Sequence, residues 1–130
     1  MKDPFNPTHE ELRTWAYDPN AMAPTQDFDL MVAELFNADL ILELTADENC
    51  PNRGFFLGCT YLIVGDAVRT KFRLNSKEKI EEFIRDAEKV GGDLLTLFVL
   101  DAKDLLENPR KFNYTKWCDS GLARKRLSGN

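Results

Sequence analysis

Residues 53–72, RGFFLGCTYLIVGDAVRTKF, are apolar nearly all the way round when wound as an α-helix. Phe55, Phe56, Leu57, Cys59, Tyr61, Leu62, Ile63, Val64, Ala67 and Val68 leave no polar face. A helix without a polar face has to be surrounded by other elements, so the rest of the chain reads as its cover. At about 100° per residue, Gly58, Leu62, Gly65, Asp66 and Arg69 fall on one side. Two glycines seven apart stand two turns along that side, where another backbone can come close. Asp66 and Arg69 are three apart and near enough to pair. The plain reading is a packing notch, with a charge pair that satisfies itself at the edge of the core. The sharper reading is a polar site in an apolar wall, where Asp66, Arg69, Tyr61 and Cys59 line a ligand pocket beside the helix. The plain reading is the default, because purely structural ion pairs also perturb titration.

Residues 55–64 also suit a strand. Strands commonly run only about 5–6 residues, and glycine weakens a longer one, which favours the helix. Two other runs share the ambiguity. Residues 40–45 alternate Leu40, Leu42 and Leu44 like a strand, and residues 94–100 read LLTLFVL. A strand needs partners, and these three runs are the only candidates for one another. The expectation is an all-α fold, a compact bundle of five or six helices around a central helix at residues 54–72. The alternative is an α+β fold with a small buried sheet.

Outward from the centre, the helix signals are of ordinary kinds. Thr8 with Glu11 three residues later forms a capping-box signature for a helix at residues 9–17. Asp18-Pro19-Asn20 stops it. Thr25 is placed to cap a second helix, in which Phe28, Met31, Val32, Leu35 and Phe36 recur at amphipathic spacing and Asn37 marks a break or kink. Residues 47–54, DENCPNRG, form a turn by composition. Past the centre, Asn75-Ser76 restarts the chain. Ile80, Phe83, Ile84 and Ala87 make a narrow apolar stripe on a surface helix that Gly91-Gly92 ends. Asp93 is placed to cap a helix at residues 94–108, which Pro109 closes. Phe112, Tyr114 and Trp117 dock the terminal segment. One helical domain is expected over residues 1–118, followed by a loosely ordered basic tail at 119–130.

Charge is unevenly spread along the 130 residues. Residues 1–50 carry eleven acids against Lys2 and Arg13, a net −9. Residues 51–109 are nearly balanced, and residues 110–130 carry +5, for a total of −5. The two ends either attract each other across the fold or form separate partner surfaces. Three cysteines, Cys50, Cys59 and Cys118, are odd in number and widely spaced, which does not suit a disulfide framework. No apolar segment near the N-terminus resembles a secretory signal, and the longest apolar run is too short for a bilayer of roughly 30 Å. These features favour a cytoplasmic location.

Chemistry-bearing patterns are sparse. His9, Cys50, Cys59, Cys118, Asp47 and Glu48 contain no short metal-ligand spacing, and no cofactor or metal is implied. The single histidine, His9, could meet Cys118 only if the fold joined the chain ends. There is no nucleophile elbow and no phosphate-binding glycine loop. A basic run, Arg124-Lys125-Arg126, is outweighed by a pI near 4.9 as a sign of nucleic-acid binding. What remains is a non-enzymatic protein-interaction domain whose acidic half, including Asp27, Asp29, Glu34, Glu43, Asp47 and Glu48, meets a basic partner. In size and acidity the chain resembles bacterial immunity proteins, which neutralise basic toxins, although no shared motif carries that resemblance. A small enzyme or ligand binder using the Asp66 pocket is the alternative.

Overall fold

The computed structural model describes residues 1–129, and over these it is all-α with no strand. Helix α1 spans His9–Ala16, α2 Phe28–Val32, α3 Ala38–Ala46 and α4 Arg53–Arg69. Then follow α5 at Lys77–Val90, α6 at Asp93–Glu107, α7 at Tyr114–Cys118 and α8 at Gly121–Leu127. Short 3-10 turns at Leu35–Asn37 and Pro109–Lys111 lead into or out of these helices. All three ambiguous runs are therefore helical, lying in α3, α4 and α6. Among the described residues there are eight helices where five or six were expected, because the C-terminal segment adds α7 and α8, while the helix expected from Thr25 through Phe36 shortens to α2 and a 3-10 turn.

Helix α4 lies at the centre of the core. From Phe56 to Ala67 all its residues except Gly58 and Asp66 are buried, and it packs against α2, α3, α5, α6, α7 and α8. It stops at Arg69, earlier than expected, because Lys71 and Phe72 take left-handed backbone angles of φ 55 and 62. The Phe72 N–H then reaches back to the Ala67 carbonyl at 2.7 Å and ties off the last turn. An aromatic group closes its N-terminal half: Trp15, Phe28, Phe55 and Phe56 have ring centroids 4.8–6.0 Å apart. Edge-on and tilted aromatic pairs of this kind add roughly 0.5–1.5 kcal/mol each beyond their burial.

The caps follow the sequence in part. Thr8 and Glu11 make both bonds of the capping box at α1, 3.1 and 2.9 Å. Ser76 accepts from Lys79 N–H at the start of α5, and Gly91 and Gly92 end that helix at φ 71 and 97. Thr25 does not cap α2; Asp27 holds that position, without a side-chain bond. Nor is Asp93 a cap. Gly92 precedes α6, and the Asp93 carboxylate instead meets Arg53 at 2.9 Å. The break near Asn37 has a clear cause: its buried amide donates to the Val32 carbonyl at 3.0 Å, holding α3 at a turn from α2.

Glycines on α4 receive the C-terminal segment. A Cβ on Gly65 would stand 2.7 Å from Trp117 Cβ and 3.1 Å from Cys118 Sγ, while Gly58 faces Ser120 and Gly54 faces the Leu127 side chain. The packing notch is thus filled by α7 and α8. Trp117 is buried with its ring 5.1 Å from Tyr61, Phe112 is half-buried and Tyr114 is exposed. Within the basic segment expected at 119–130, residues 121–127 form α8 with Ala123 buried, and Asn130 lies outside the described residues. The side chain of Arg126 fixes that helix by two bonds to Asp101, at 2.9 and 2.7 Å. Asp101 also accepts from the Tyr61 hydroxyl at 2.5 Å.

Candidate partner-binding groove

The four residues placed in a ligand pocket do not gather around one opening. Arg69 Nε donates to Asp66 Oδ1 at 3.1 Å within α4, with side chains 46% and 23% exposed, so the pair sits at the surface. Cys118 Sγ lies 3.5 Å from the same Asp66 oxygen. Burial, reinforced by the Asp66 charge, pushes this thiol up to about 12, which leaves almost no thiolate near neutrality. Cys59 is fully buried and desolvation raises its thiol well above the usual value. Tyr61 is fully buried, its hydroxyl spent on Asp101; burial first, and that hydrogen bond second, hold the phenol neutral. Here Tyr61 joins α4 to α6, and Arg126 ties α8 to the same carboxylate.

His9 and Cys118 have separate partners. His9 Nε2 is 2.9 Å from Asn37 Oδ1, and its ring stands 5.3 Å from Phe36. Among the described residues, no three His, Cys, Asp or Glu side chains converge where they could hold a metal ion. None of their helices is long and apolar enough to cross a membrane.

A surface groove lies between α3 and α5. Helix α3 buries Leu40, Ile41, Leu42, Leu44 and Thr45, and the stripe it turns toward α5 runs Asp39, Leu42, Glu43, Ala46 and Asp47, with Leu42 itself only 1% exposed. Those five fall at i, i+3, i+4, i+7 and i+8, one helical stripe. Helix α5 buries Ile80, Phe83, Ile84 and Ala87 and sets Asp86, Lys89 and Val90 against that stripe. Between the two stripes is a groove of about 600 Å³. It continues into a second hollow of about 440 Å³ bounded by Leu35, Phe36, Lys79, Glu82 and Phe83, with Asp39 and Asp86 on both. The helices run the same way along it, residues 35–38 lying with 75–83 and residues 46–47 with 89–90.

Its walls are acidic and its two ends are apolar. Five carboxylates, Asp39, Glu43, Asp47, Glu82 and Asp86, face two ammonium groups, Lys79 and Lys89, a net −3. Two of the five are engaged from α1 and its C-terminal cap. Arg13 pairs with Glu43, and Tyr17 donates to Asp47 at 2.5 Å. That bond pushes the Tyr17 phenol up to about 12 and holds the Asp47 carboxyl below its ordinary value. Asp39, Glu82 and Asp86 have no hydrogen-bonding or charged partner among the described residues. Ala46 and Val90 give apolar surface at one end and Leu35 and Phe36 at the other, while Leu42 and Phe83, 1% and 2% exposed, belong to the core beneath.

Of the six acids assigned to partner binding from the sequence, Glu43 and Asp47 line this groove. Asp27 caps α2, Asp29 accepts from Leu30 N–H at 3.0 Å, and Glu34 and Glu48 are exposed next to lining residues without lining the groove themselves. Asp39, Glu82 and Asp86 were not singled out. The stripe on α3 carried a signal for Asp39, but Glu82 and Asp86 sit in the charge-balanced middle of the chain. No ion pair among the described residues joins residues 1–50 to 110–129; Lys111 and Arg126 bind Asp104 and Asp101 of α6 instead. Acidic front and basic end therefore do not neutralise one another by direct contact.

Set against known proteins, this chain matches no family model, no curated protein and no solved structure.

Proposed function

We propose that this protein is a non-enzymatic interaction domain that binds a basic protein partner at the groove between α3 and α5. The observation that supports it is the combination of exposed apolar residues at both ends, Phe36 and Val90, with lining side chains bearing a net −3, three of whose carboxylates have no internal partner. Carboxylates lacking a cation in the free molecule gain most from a lysine or arginine brought by another chain, and they steer its approach. Apolar surface at the two ends supplies affinity that charge alone does not. A reading as a cytoplasmic partner of a basic toxin, on the pattern of immunity proteins, is consistent with this charge. The buried neutral Cys59 thiol and Tyr61 phenol of α4 offer no comparable support for an enzyme or small-ligand site.

The test is affinity capture at about 50 and about 500 mM salt, a span over which surface attraction is largely screened, using the wild-type protein and the double variant Asp39→Lys, Asp86→Lys. Both positions are partly or fully exposed, so the fold should persist. A partner held at low salt, released at high salt and lost by the variant is the expected result. A partner retained equally by the variant removes the groove from consideration.

A further inference from the structure

We infer that the occupant of this groove is an amphipathic basic helix of about three turns, contributed by another protein; this rests on the reading of the groove as a partner site. Three observations lead there. The first is length: from Lys79 to Val90 the α5 wall advances eleven residues, about 16 Å at the helical rise, which matches about three turns of a second helix. The second is the placement of apolar surface. Phe36, 79% exposed, stands at one end and Val90, 49% exposed, at the other beside the partly exposed Ala46, with Asp39, Glu82 and Asp86 between them. Apolar side chains at i, i+3 or i+4, i+7 and i+11 of a helix form a stripe of this extent, and lysines or arginines on its flanks then meet Asp39, Glu82 and Asp86.

The third is backbone chemistry. Both walls are helices whose own N–H and C=O groups are already used, so neither offers an edge to an extended peptide. An extended segment lying between these helices would find no backbone partner on either wall, whereas a helix satisfies its own groups. The chain's own basic helix does not meet these requirements. Helix α8 has Ala123 buried and Leu122 packed against the core, and Arg126 is committed to Asp101, so it has no free apolar stripe to offer a second copy.

The experiment uses the full chain and three labelled peptides of about 14 residues, long enough for about four turns. One arranges leucine and lysine with a single apolar helical face. A second has the same composition scrambled to remove that face, and a third replaces the leucines with serine. Binding is read by fluorescence anisotropy, and peptide helicity by circular dichroism, against the wild-type protein, the Asp39→Lys, Asp86→Lys variant and the exposed Val90→Ser variant. The amphipathic peptide should bind at least about ten-fold more tightly than the other two, the difference expected of a few buried apolar side chains, and gain helicity when bound. Val90→Ser should weaken it about five-fold, for one partly buried valine, without changing the serine peptide. Equal, salt-sensitive binding of all three peptides, abolished in the double variant, overturns the helix while leaving the acidic groove standing. Binding of none of them at about 100 µM, a generous threshold, or binding indifferent to the double variant, overturns both.

Discussion

Substituting alanine for Gly58 and, separately, for Gly65 should shift stability in opposite directions, although both glycines lie inside α4 and face the same C-terminal segment. Each substitution gains about 1 kcal/mol of helix propensity. At Gly58 the new methyl group would meet only Ser120 Oγ at 3.5 Å, an ordinary contact, so the gain should be kept. At Gly65 it would meet Trp117 Cβ at 2.7 Å, with Cys118 Sγ at 3.1 Å and the Trp117 carbonyl carbon at 3.5 Å. Trp117 Cβ is fixed by the α7 backbone and by an indole packed on Tyr61, so relief requires moving α7 itself. Overpacking of that kind costs about 1–3 kcal/mol, leaving a net loss near 1 kcal/mol at Gly65. The difference between the two variants is the sounder quantity, because the propensity gain cancels and only the contact with α7 remains. For a chain of 130 residues, 1 kcal/mol corresponds to about 3–5 °C in Tm. Thermal unfolding followed at 222 nm should therefore place Gly58→Ala above wild type by about that amount and Gly65→Ala below it. Equal shifts for the two variants, or a more stable Gly65→Ala, would refute the close seating of α7 on α4.

Three further outcomes are expected. Tyr61→Phe removes one bond to Asp101 but leaves its arginine pair, at a cost of about 1 kcal/mol. Arg126→Met leaves the Asp101 carboxylate, only 16% exposed, without its paired cation and should cost more, about 2 kcal/mol after allowing for partial solvation; chemical denaturation would rank the two. Native Cys118 should react slowly with a thiol-directed reagent at pH 8, and Cys59 not at all before unfolding, as mass spectrometry of alkylated protein can show. Raising the Cys118 thiol from 9.0 to about 12 on folding also has a defined sign: its stabilisation is complete below pH 9 and is lost as pH rises toward 12. Cys118→Ser should flatten that part of the stability profile. At Asp47 the sign is reversed, since its carboxyl is depressed by Tyr17: the contribution is present above pH 3.8 and lost on acidification. Tyr17→Phe should therefore raise the Asp47 titration midpoint seen by carbon-detected NMR.

The sequence made the all-helical architecture legible because α4 has apolar residues on every side, and such a helix dictates what surrounds it. The glycine notch was legible for the same reason: Gly58 and Gly65 recur at a helical interval, so a close neighbour followed from geometry. Its occupant was not, because α7 and α8 are short and polar in composition and hold to α4 by a few side chains, Trp117, Ala123 and Arg126. Arg126 in a run of three basic residues looked solvated; only the three-dimensional position of Asp101, twenty-five residues away, gives it a partner. The division after Val32 depended on an asparagine amide bonding five residues back, a contact that periodicity does not register. As for the candidate site, counting charge by segment pointed to the first fifty residues. The groove instead draws on α3 and α5 together, and α5 drew no attention because its five acids are nearly balanced by three lysines and an arginine.

The most direct measurement is an amide NMR titration of the intact protein with a lysine-rich amphipathic peptide at about 50 mM salt, repeated at about 500 mM. Shifts should concentrate at Phe36, Asp39, Glu43 and Ala46 of the α3 side and at Lys79, Glu82, Asp86 and Val90 of α5, and fade at the higher salt. Shifts centred instead on Asp27, Asp29 and Glu34, or on the surface around Asp66 and Arg69, or unchanged by salt, would contradict the groove as the place where this protein meets its partner.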